Sequence, residues 1–227
     1  MSEILLEAQG LRKVFKKGGV EIEVLRGVDF QIHAGEMVAI TGASGVGKST
    51  LLHILGTLEP PSEGKVFFGP KRQDIFALKE RELAHFRNRS LGFIFQFHYL
   101  LPEFTALENV TLPALIAGMS QGMAEAQAKE LLGFVGLGHR LSHRPSELSG
   151  GEQQRVAIAR AVILRPKVLL ADELTGNLDS SNSAMVLDLL TRLNKATGVS
   201  VLMVTHDLEL ARKMHRVMPM KDGVFVG

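Results

Sequence analysis

The loop GASGVGKST at 42–50 stands between the apolar segment MVAIT (37–41) and the helical pattern LLHIL (51–55). It matches G-x-x-x-x-G-K-[ST], a pattern whose glycines permit a tight turn with inward-pointing backbone N–H groups before a helix N-terminus. It therefore predicts a phosphate site in which Lys48 reaches the β- and γ-phosphates and the Ser49 hydroxyl binds Mg²⁺. The residues expected to line this site are Gly42, Ala43, Ser44, Gly45, Val46, Gly47, Lys48, Ser49 and Thr50.

Polar side chains also follow other apolar segments. The segment VLLADE (168–173) ends in Asp172 and Glu173. Ligands of open α/β sheets bind at the C-terminal ends of strands, so we expect Asp172 to hold the metal and Glu173 to polarise an attacking water. His206 ends MVTHD and Gln96 ends LGFIFQ in the same way. Local sequence leaves open whether these last two are functional or ordinary structural residues.

Apolar segments alternate with helical patterns along the chain, which indicates an α/β fold with a mostly parallel sheet covered on both faces. Residues 100–155 are mostly helical and are interpreted as an insertion. With 227 residues, the chain is long enough for one domain that carries a subdomain. His53, on the helix after the P-loop, is expected to pack in the core.

The composition argues against several classes of protein. A net charge of +2 with 22% charged residues is too mild to favour nucleic-acid binding. The chain has no cysteine, which excludes disulfides and thiolate chemistry. No segment reaches the roughly 18 apolar residues of a membrane span, and the N-terminus lacks the features of a signal peptide. We therefore expect a soluble protein that meets a membrane only through a partner.

The segment SELSGGEQQR (146–155) contains a second glycine-rich helix start. Ser149 and Glu152 have the spacing of a capping box, in which each side chain satisfies a backbone N–H of the first turn. A glycine inside a helix costs about 1 kcal/mol relative to alanine. Capping alone therefore does not explain Gly150 and Gly151.

These motifs, in this order, resemble the ATP-binding subunits of ABC transporters over essentially the whole chain. The resemblance implies a single ABC ATPase domain (1–227). Its P-loop NTPase core, of the RecA-like type with an N-terminal antiparallel β part, would span 1–96 and 156–227, and its helical subdomain 97–155. The matching motifs are the P-loop (42–50), the Q-loop at Gln96, the signature (148–153), Walker B (168–172) with Glu173, the D-loop (176–179) and the switch His206.

The resemblance also implies roles for individual residues. Lys48, Gln96, Glu173 and His206 would form the catalytic group, with Gln96 sensing the metal and coupling to a membrane partner. His206 would contact the γ-phosphate of ATP. The expected Mg²⁺ ligands are Ser49, Gln96 and Asp172.

In this family two subunits pack head to tail, and each ATP lies between the P-loop of one subunit and the signature of the other. The resemblance therefore implies a homodimer in the ATP-bound state. Ser149, Gly150, Gly151 and Glu152 would face the γ-phosphate held by the other copy. Glycine suits this position because a β-carbon would obstruct the close approach of a phosphate.

Phe15 matches the position at which the family stacks an aromatic ring on adenine, more often a tyrosine. Stacking tolerates different bases, so Phe15 alone is weak evidence for ATP over GTP. The segment NKAT (194–197) is not the guanine-reading N-K-x-D, which favours ATP. A core phenylalanine in a β-hairpin remains the alternative interpretation of Phe15.

The segments 95–113 and 171–180 resemble the group of these ATPases that serves lipoprotein release, with MacB-type exporters and FtsE-type regulators as relatives. That resemblance implies integral membrane permease partners at the cytoplasmic face of the bacterial inner membrane. An ATPase acting on DNA or ribosomes is disfavoured, because neither a long coiled-coil insertion nor a second ATPase unit is present. One residue departs from the family pattern: Leu174 follows Glu173 where proline is usual, and we expect slower or less cooperative hydrolysis as a result.

Overall fold

The computed structural model describes residues 3–174 and 180–226, with the backbone alone for residues 17 and 180–182. Within these ranges the strands are β1 (Ile4–Lys17), β2 (Val20–His33), β3 (Met37–Thr41), β4 (Glu63–Phe68), β5 (Gln73–Asp74), β6 (Leu91–Ile94), β7 (Val168–Asp172), β8 (Ser200–Thr205), β9 (Arg216–Lys221) and β10 (Val224–Phe225). The helices are α1 (Lys48–Leu55), α2 (Glu80–Ser90), α3 (Ala106–Ile116), α4 (Gln121–Phe134), α5 (Gly150–Val162), α6 (Ser180–Thr197) and α7 (Leu208–Ala211), with short 3₁₀ turns at Ile75–Ala77 and Pro145–Glu147.

The central sheet has the strand order β10-β9-β3-β8-β7-β6 and is parallel except for β10. Its middle strands are continuous apolar runs, as expected for strands that are covered on both faces. Thr41 pairs with Thr205, and Asp172 pairs with Val204. The C-terminal ends of β3, β8, β7 and β6 therefore meet at one edge, which confirms the predicted α/β architecture.

The two faces of the sheet contribute to two different cores. Val38 and Ile40 point to one face, where they pack with α1 and with a four-stranded antiparallel sheet of order β2-β1-β4-β5. Met37 and Ala39 point to the opposite face, toward α5, α6 and the helical region. This alternation follows from the twofold periodicity of strand side chains. The N-terminal antiparallel part predicted from the sequence is confirmed.

Helices α3 and α4 pack on α5 through small and aliphatic side chains, among them the buried Val110, Ala114, Ala128 and Leu132. α5 is one continuous helix that leads from this region onto the sheet. The expected border between residues 155 and 156 falls inside it, so the two parts share a rigid element. The division into core and helical subdomain stays a prediction.

Some elements were not predicted. α2 has no fully buried residue, and the partly buried Leu83 and Phe86 that pack against the core are too short an apolar pattern to predict a helix from the sequence. α7, β9 and β10 lie beyond the last strand that the sequence predicts. In the described ranges no helix is long and apolar enough to cross a membrane.

Candidate active site

The P-loop joins β3 to α1 in a conformation that requires glycine at two positions. Gly42 has a φ of 150°, and a β-carbon there would lie 2.3 Å from the carbonyl oxygen of Met220. Gly47 has a φ of 104°, and its β-carbon would lie 2.9 Å from the carbonyl oxygen of Val24. A larger residue at either position would displace backbone, so the sequence leaves this turn little freedom.

Lys48 is the first residue of α1 and is 4% exposed. Its Nζ donates 2.9 Å hydrogen bonds to the carbonyl oxygens of Gly42 and Ala43, so the side chain folds back over the loop. The ammonium group is held at the mouth of the turn, where a phosphate chain would lie. The loop residues Ala43, Ser44 and Gly45 are exposed, which leaves their backbone accessible to a ligand.

The Ser49 hydroxyl donates a 3.0 Å hydrogen bond to Oδ1 of Asp172, which ends β7. Burial raises the pKa of the Asp172 carboxyl, and the hydrogen bond from Ser49 opposes that shift. Hydroxyl and carboxylate oxygens are the ligands that Mg²⁺ prefers. The structure therefore brings together two of the three predicted metal ligands in a donor set that suits Mg²⁺.

His53 does not pack in the core, and that expectation is wrong. Its ring is 35% exposed, and Nε2 lies 3.8 Å from Oδ2 of Asp172. The spacing explains why: His53 follows Ser49 by four positions, so both lie on the same face of α1. The i, i+4 relation to Ser49 could have placed this histidine beside the site from the sequence alone.

Glu173 and His206 stand at the ends of the neighbouring strands β7 and β8. The Nδ1 atom of His206 is 3.5 Å from Oε1 of Glu173, and the two side chains are 63% and 22% exposed respectively. Glu173 adopts a φ of 42°, in the left-handed region that non-glycine residues seldom occupy, and its N–H donates to the carbonyl oxygen of Val204. Such strained residues concentrate at functional sites.

Gln96 lies two residues past the end of β6, whose Ile94 pairs with Ala171 of β7. The Q-loop residue therefore follows the strand next to the one that carries Asp172. Leu174 is 3% exposed. The predicted D-loop, Gly176–Asp179, lies outside the described residues.

Phe15 is 37% exposed, so the alternative of a core phenylalanine is wrong. It lies on β1 opposite Ile22 of β2, and the ammonium group of Lys13 is 5.0 Å from the centre of its ring. The backbone of β2 at Val24 lies against the P-loop at Gly47. The exposed ring therefore stands on the hairpin that adjoins the loop.

The signature forms the capping box predicted from the sequence. Ser149 Oγ accepts a 3.3 Å hydrogen bond from the N–H of Glu152, whose Oε2 accepts a 2.8 Å bond from the N–H of Ser149. A β-carbon at Gly150 would meet nothing within 4 Å, so packing within the chain does not require glycine there. Among the described residues no hydrogen bond joins 149–152 to the P-loop.

Comparisons with known proteins give one consistent result. The sequence model of the family described as ABC transporter matches residues 25–176. The lipoprotein-releasing system ATP-binding protein LolD of Geobacter metallireducens is 55% identical over 219 residues, covering 96% of each chain. LolD of Syntrophotalea carbinolica is 56% identical, over 98% of this chain and 97% of its own. The ATP-binding cassette MJ0796, solved as a dimer bound to ADP and Pi, matches with a TM-score of 0.90 at 39% identity, over 98% of this chain and 97% of its own.

Proposed function

The chain belongs to the ABC transporter family and is an ATP-hydrolysing member of it; from this premise we propose that it powers the release of lipoproteins from a membrane. The observation that carries the proposal is likeness over nearly full length to proteins named for that system, at 55% and 56% identity. MacB-like export and FtsE-like regulation are the alternatives that the experiment below separates.

We propose that the nucleotide is ATP with Mg²⁺. Lys48 and the backbone of 42–47 would bind the β- and γ-phosphates, with Phe15 stacking on the base. Ser49 and Asp172 would hold the metal together with Gln96, and the bound Mg²⁺ would offset negative charge on the phosphates. The 3.0 Å contact between Ser49 and Asp172 supports the assignment of these two as neighbouring ligands.

For hydrolysis, we propose that Glu173 accepts a proton from the attacking water. Glu173 follows β7, and β8 lies between β7 and the P-loop strand β3. His206, at the end of β8, lies 3.5 Å from Glu173, where it can orient the carboxylate or contact the γ-phosphate. A positioned general base contributes about 10²- to 10⁴-fold to the rate. The unusual φ of Glu173 supports a functional rather than a packing role.

The complete site would need two copies of the chain. The γ-phosphate of the ATP held by the other copy would be bound at the N-terminal end of α5 by the backbone of Ser149, Gly150, Gly151 and Glu152. The open space around Gly150 supports this arrangement, since no atom of the described residues would lie within 4 Å of a β-carbon there. The solved dimers of MJ0796, at 39% and 40% identity, support it independently.

An open groove of about 540 Å³, lined by apolar side chains together with Arg87, Asn88 and Arg160, supports a membrane protein partner. It lies between α2, α3, α5 and the segment that follows Gln96, and its lining includes Phe95, Tyr99 and Ile116. Tyr99 and Ile116 are 64% and 70% exposed, and such patches mark protein interaction sites. We propose that permease subunits of the LolC and LolE type dock here, which places the chain at the cytoplasmic face of the bacterial inner membrane.

Co-purification from detergent-extracted membranes tests this function. The expected partner is an integral membrane protein with a large periplasmic domain that holds lipoproteins, and the reconstituted complex should release lipoproteins when ATP is added. Ile116→Glu should abolish co-purification, whereas Val20→Glu, at a residue 61% exposed on the β1–β2 turn, should not. A partner without lipoprotein-binding capacity, or ATP hydrolysis without release, would contradict lipoprotein release.

A further inference from the structure

The carboxylate of Glu152 makes two different contacts. Oε2 accepts the hydrogen bond from the N–H of Ser149 that completes the helix cap, and Oε1 accepts a 3.2 Å bond from Nε of Arg140. The second contact belongs to no capping motif, because Arg140 comes from the connector between α4 and the signature. The side chains of Arg140 and Glu152 are 35% and 16% exposed, so neither charge is fully hydrated.

The connector holds Arg140 in position. Nη1 of Arg140 lies 2.9 Å from Nε2 of His143, and because a guanidinium can only donate, this ring nitrogen is the acceptor. The carbonyl oxygen of His143 accepts a hydrogen bond from the N–H of Ala106, which anchors the connector to the start of α3. Arg140 is thus fixed from one side by His143 and on the other meets Glu152.

A carboxylate at the third position of α5 has opposite effects on folding and on phosphate binding. It caps the helix and complements the positive end of its dipole. The backbone and side-chain hydrogen bonds of Ser149, followed by Arg140, lower the pKa of Glu152, so the group remains ionised at neutral pH. It would therefore repel a phosphate approaching the same helix end, and more strongly once the interface excludes water.

We infer that Arg140 is a positioning residue of the signature, which neutralises Glu152 so that the N-terminus of α5 can accept the γ-phosphate of the ATP bound to the other copy. The inference rests on the proposed head-to-tail dimer. Arg140 acts through Glu152 and is not required to touch the nucleotide. This role explains why the connector holds Arg140 in place, and why the Glu152 carboxylate binds Arg140 as well as the N–H of Ser149.

The test measures ATP-driven dimerisation by analytical ultracentrifugation, in the Glu173→Gln background, which blocks hydrolysis. Arg140→Gln should weaken the dimer about tenfold or more, because the ionised Glu152 would then face the phosphate unpaired in an interface that excludes water. Adding Glu152→Gln should restore dimerisation, since glutamine keeps the capping acceptor without the charge. Arg140→Lys should retain most of the affinity. Lys129→Gln, which removes the 3.9 Å ion pair with Glu125 on α4, is the matched control and should have no effect.

The outcomes separate this inference from the proposed function. A Glu173→Gln protein that remains monomeric with Mg·ATP would overturn the head-to-tail dimer, and the role of Arg140 with it. If that protein dimerises and Arg140→Gln dimerises equally well, the inference alone is overturned. The same holds if Arg140→Gln is defective but Glu152→Gln does not restore the dimer, because Arg140 would then be a structural residue only.

Discussion

The hydroxyl of Ser49 donates a 3.0 Å hydrogen bond to Oδ1 of Asp172, across 123 positions of sequence. The contact joins the start of α1 to the end of β7 at the edge where the parallel strands end. Two oxygen donors of the kind that Mg²⁺ prefers are thereby held together by the fold itself. The Asp172 carboxylate is 16% exposed in this position, so its ionisation should affect the free energy of unfolding.

Asp172→Asn should raise the stability of the protein and lower its hydrolysis rate. Burial raises the pKa of this carboxyl, so its ionised form disfavours folding at pH values above both the folded and the unfolded pKa. That cost disappears at lower pH, where the group is protonated in both states. Asparagine removes the charge and keeps an acceptor for Ser49. In urea unfolding, we expect the variant to have a higher midpoint than the parent at neutral pH, and the difference between the two midpoints should narrow on acidification. Hydrolysis by the variant should be reduced about 100-fold or more.

Asp188→Asn is the matched control for this experiment, because Asp188 is exposed on α6. It should leave the hydrolysis rate unchanged and should not raise the urea midpoint. A stability gap for Asp172→Asn that is the same at neutral and acidic pH would contradict the desolvation argument. Hydrolysis at the parent rate would contradict the metal-ligand assignment.

Phe15→Ala should weaken ATP binding with little effect on folding, because the ring is 37% exposed. Loss of one base-stacking contact costs about 1–3 kcal/mol, which corresponds to a rise in Kd of about 5- to 150-fold. GTP should be affected similarly, since stacking does not read the base edge. Isothermal titration calorimetry measures the Kd of ATP and of GTP, and Phe15→Tyr, which keeps an aromatic ring for stacking, is the control. Equal affinity for ATP in Phe15→Ala would show that the base lies elsewhere.

Gly150→Ala should stabilise the isolated chain and slow hydrolysis. Gly150 lies in the first turn of α5 with open space around it, so alanine should add up to about 0.5–1 kcal/mol to the free energy of unfolding. The same β-carbon would stand between the helix end and the partner's phosphate, and we expect about a tenfold or larger loss of rate. Gly122→Ala in the first turn of α4 is the matched control, stabilising but fully active. Unimpaired hydrolysis in Gly150→Ala would argue against contact with phosphate.

Leu174→Pro should raise the rate or the cooperativity of hydrolysis, because proline would fix φ after Glu173 and stiffen the connection to the D-loop. The change should also lower the unfolding midpoint. Proline would remove the packing of Leu174, which is 3% exposed. It would also strain Glu173, because the residue before a proline is disfavoured in compact backbone conformations, whereas Glu173 has a φ of 42°. Leu174→Ala removes the packing without the ring and serves as the control. Steady-state ATPase curves with an unchanged rate and Hill coefficient would reject this expectation.

Much of the catalytic arrangement could be predicted because its signals are local. The P-loop pattern depends on glycines that only one turn geometry explains, and Asp172 ends a run of apolar residues that can only be a buried strand. Since parallel strands end at one edge, the same reasoning predicts that Glu173 and His206 lie at that edge, whereas the adjacency of their two strands is known only from the sheet order. The register of Thr41, Asp172 and Ile94 with their partners agrees with it.

Other features depend on packing and could not be predicted in this way. α2 is an example: Leu83 and Phe86, three positions apart, pack partly buried against the core, but two such residues are too short an apolar pattern to predict a helix. The pairing of Arg140 with Glu152 depends on how the connector folds back over α5, which spacing does not determine. A single histidine among leucines is typical of a core residue, and this pattern gives the wrong expectation for His53, whose four-residue spacing from Ser49 indicates the site instead.

The oligomeric state of Glu173→Gln in saturating Mg·ATP tests the shared active site most directly. Removing the base should lower hydrolysis about 10²- to 10⁴-fold, so that ATP remains bound between the two copies. Light scattering coupled to size exclusion should then report a stable dimer with ATP and a monomer without it. A protein that binds Mg·ATP and stays monomeric would contradict a site built from two copies of the chain.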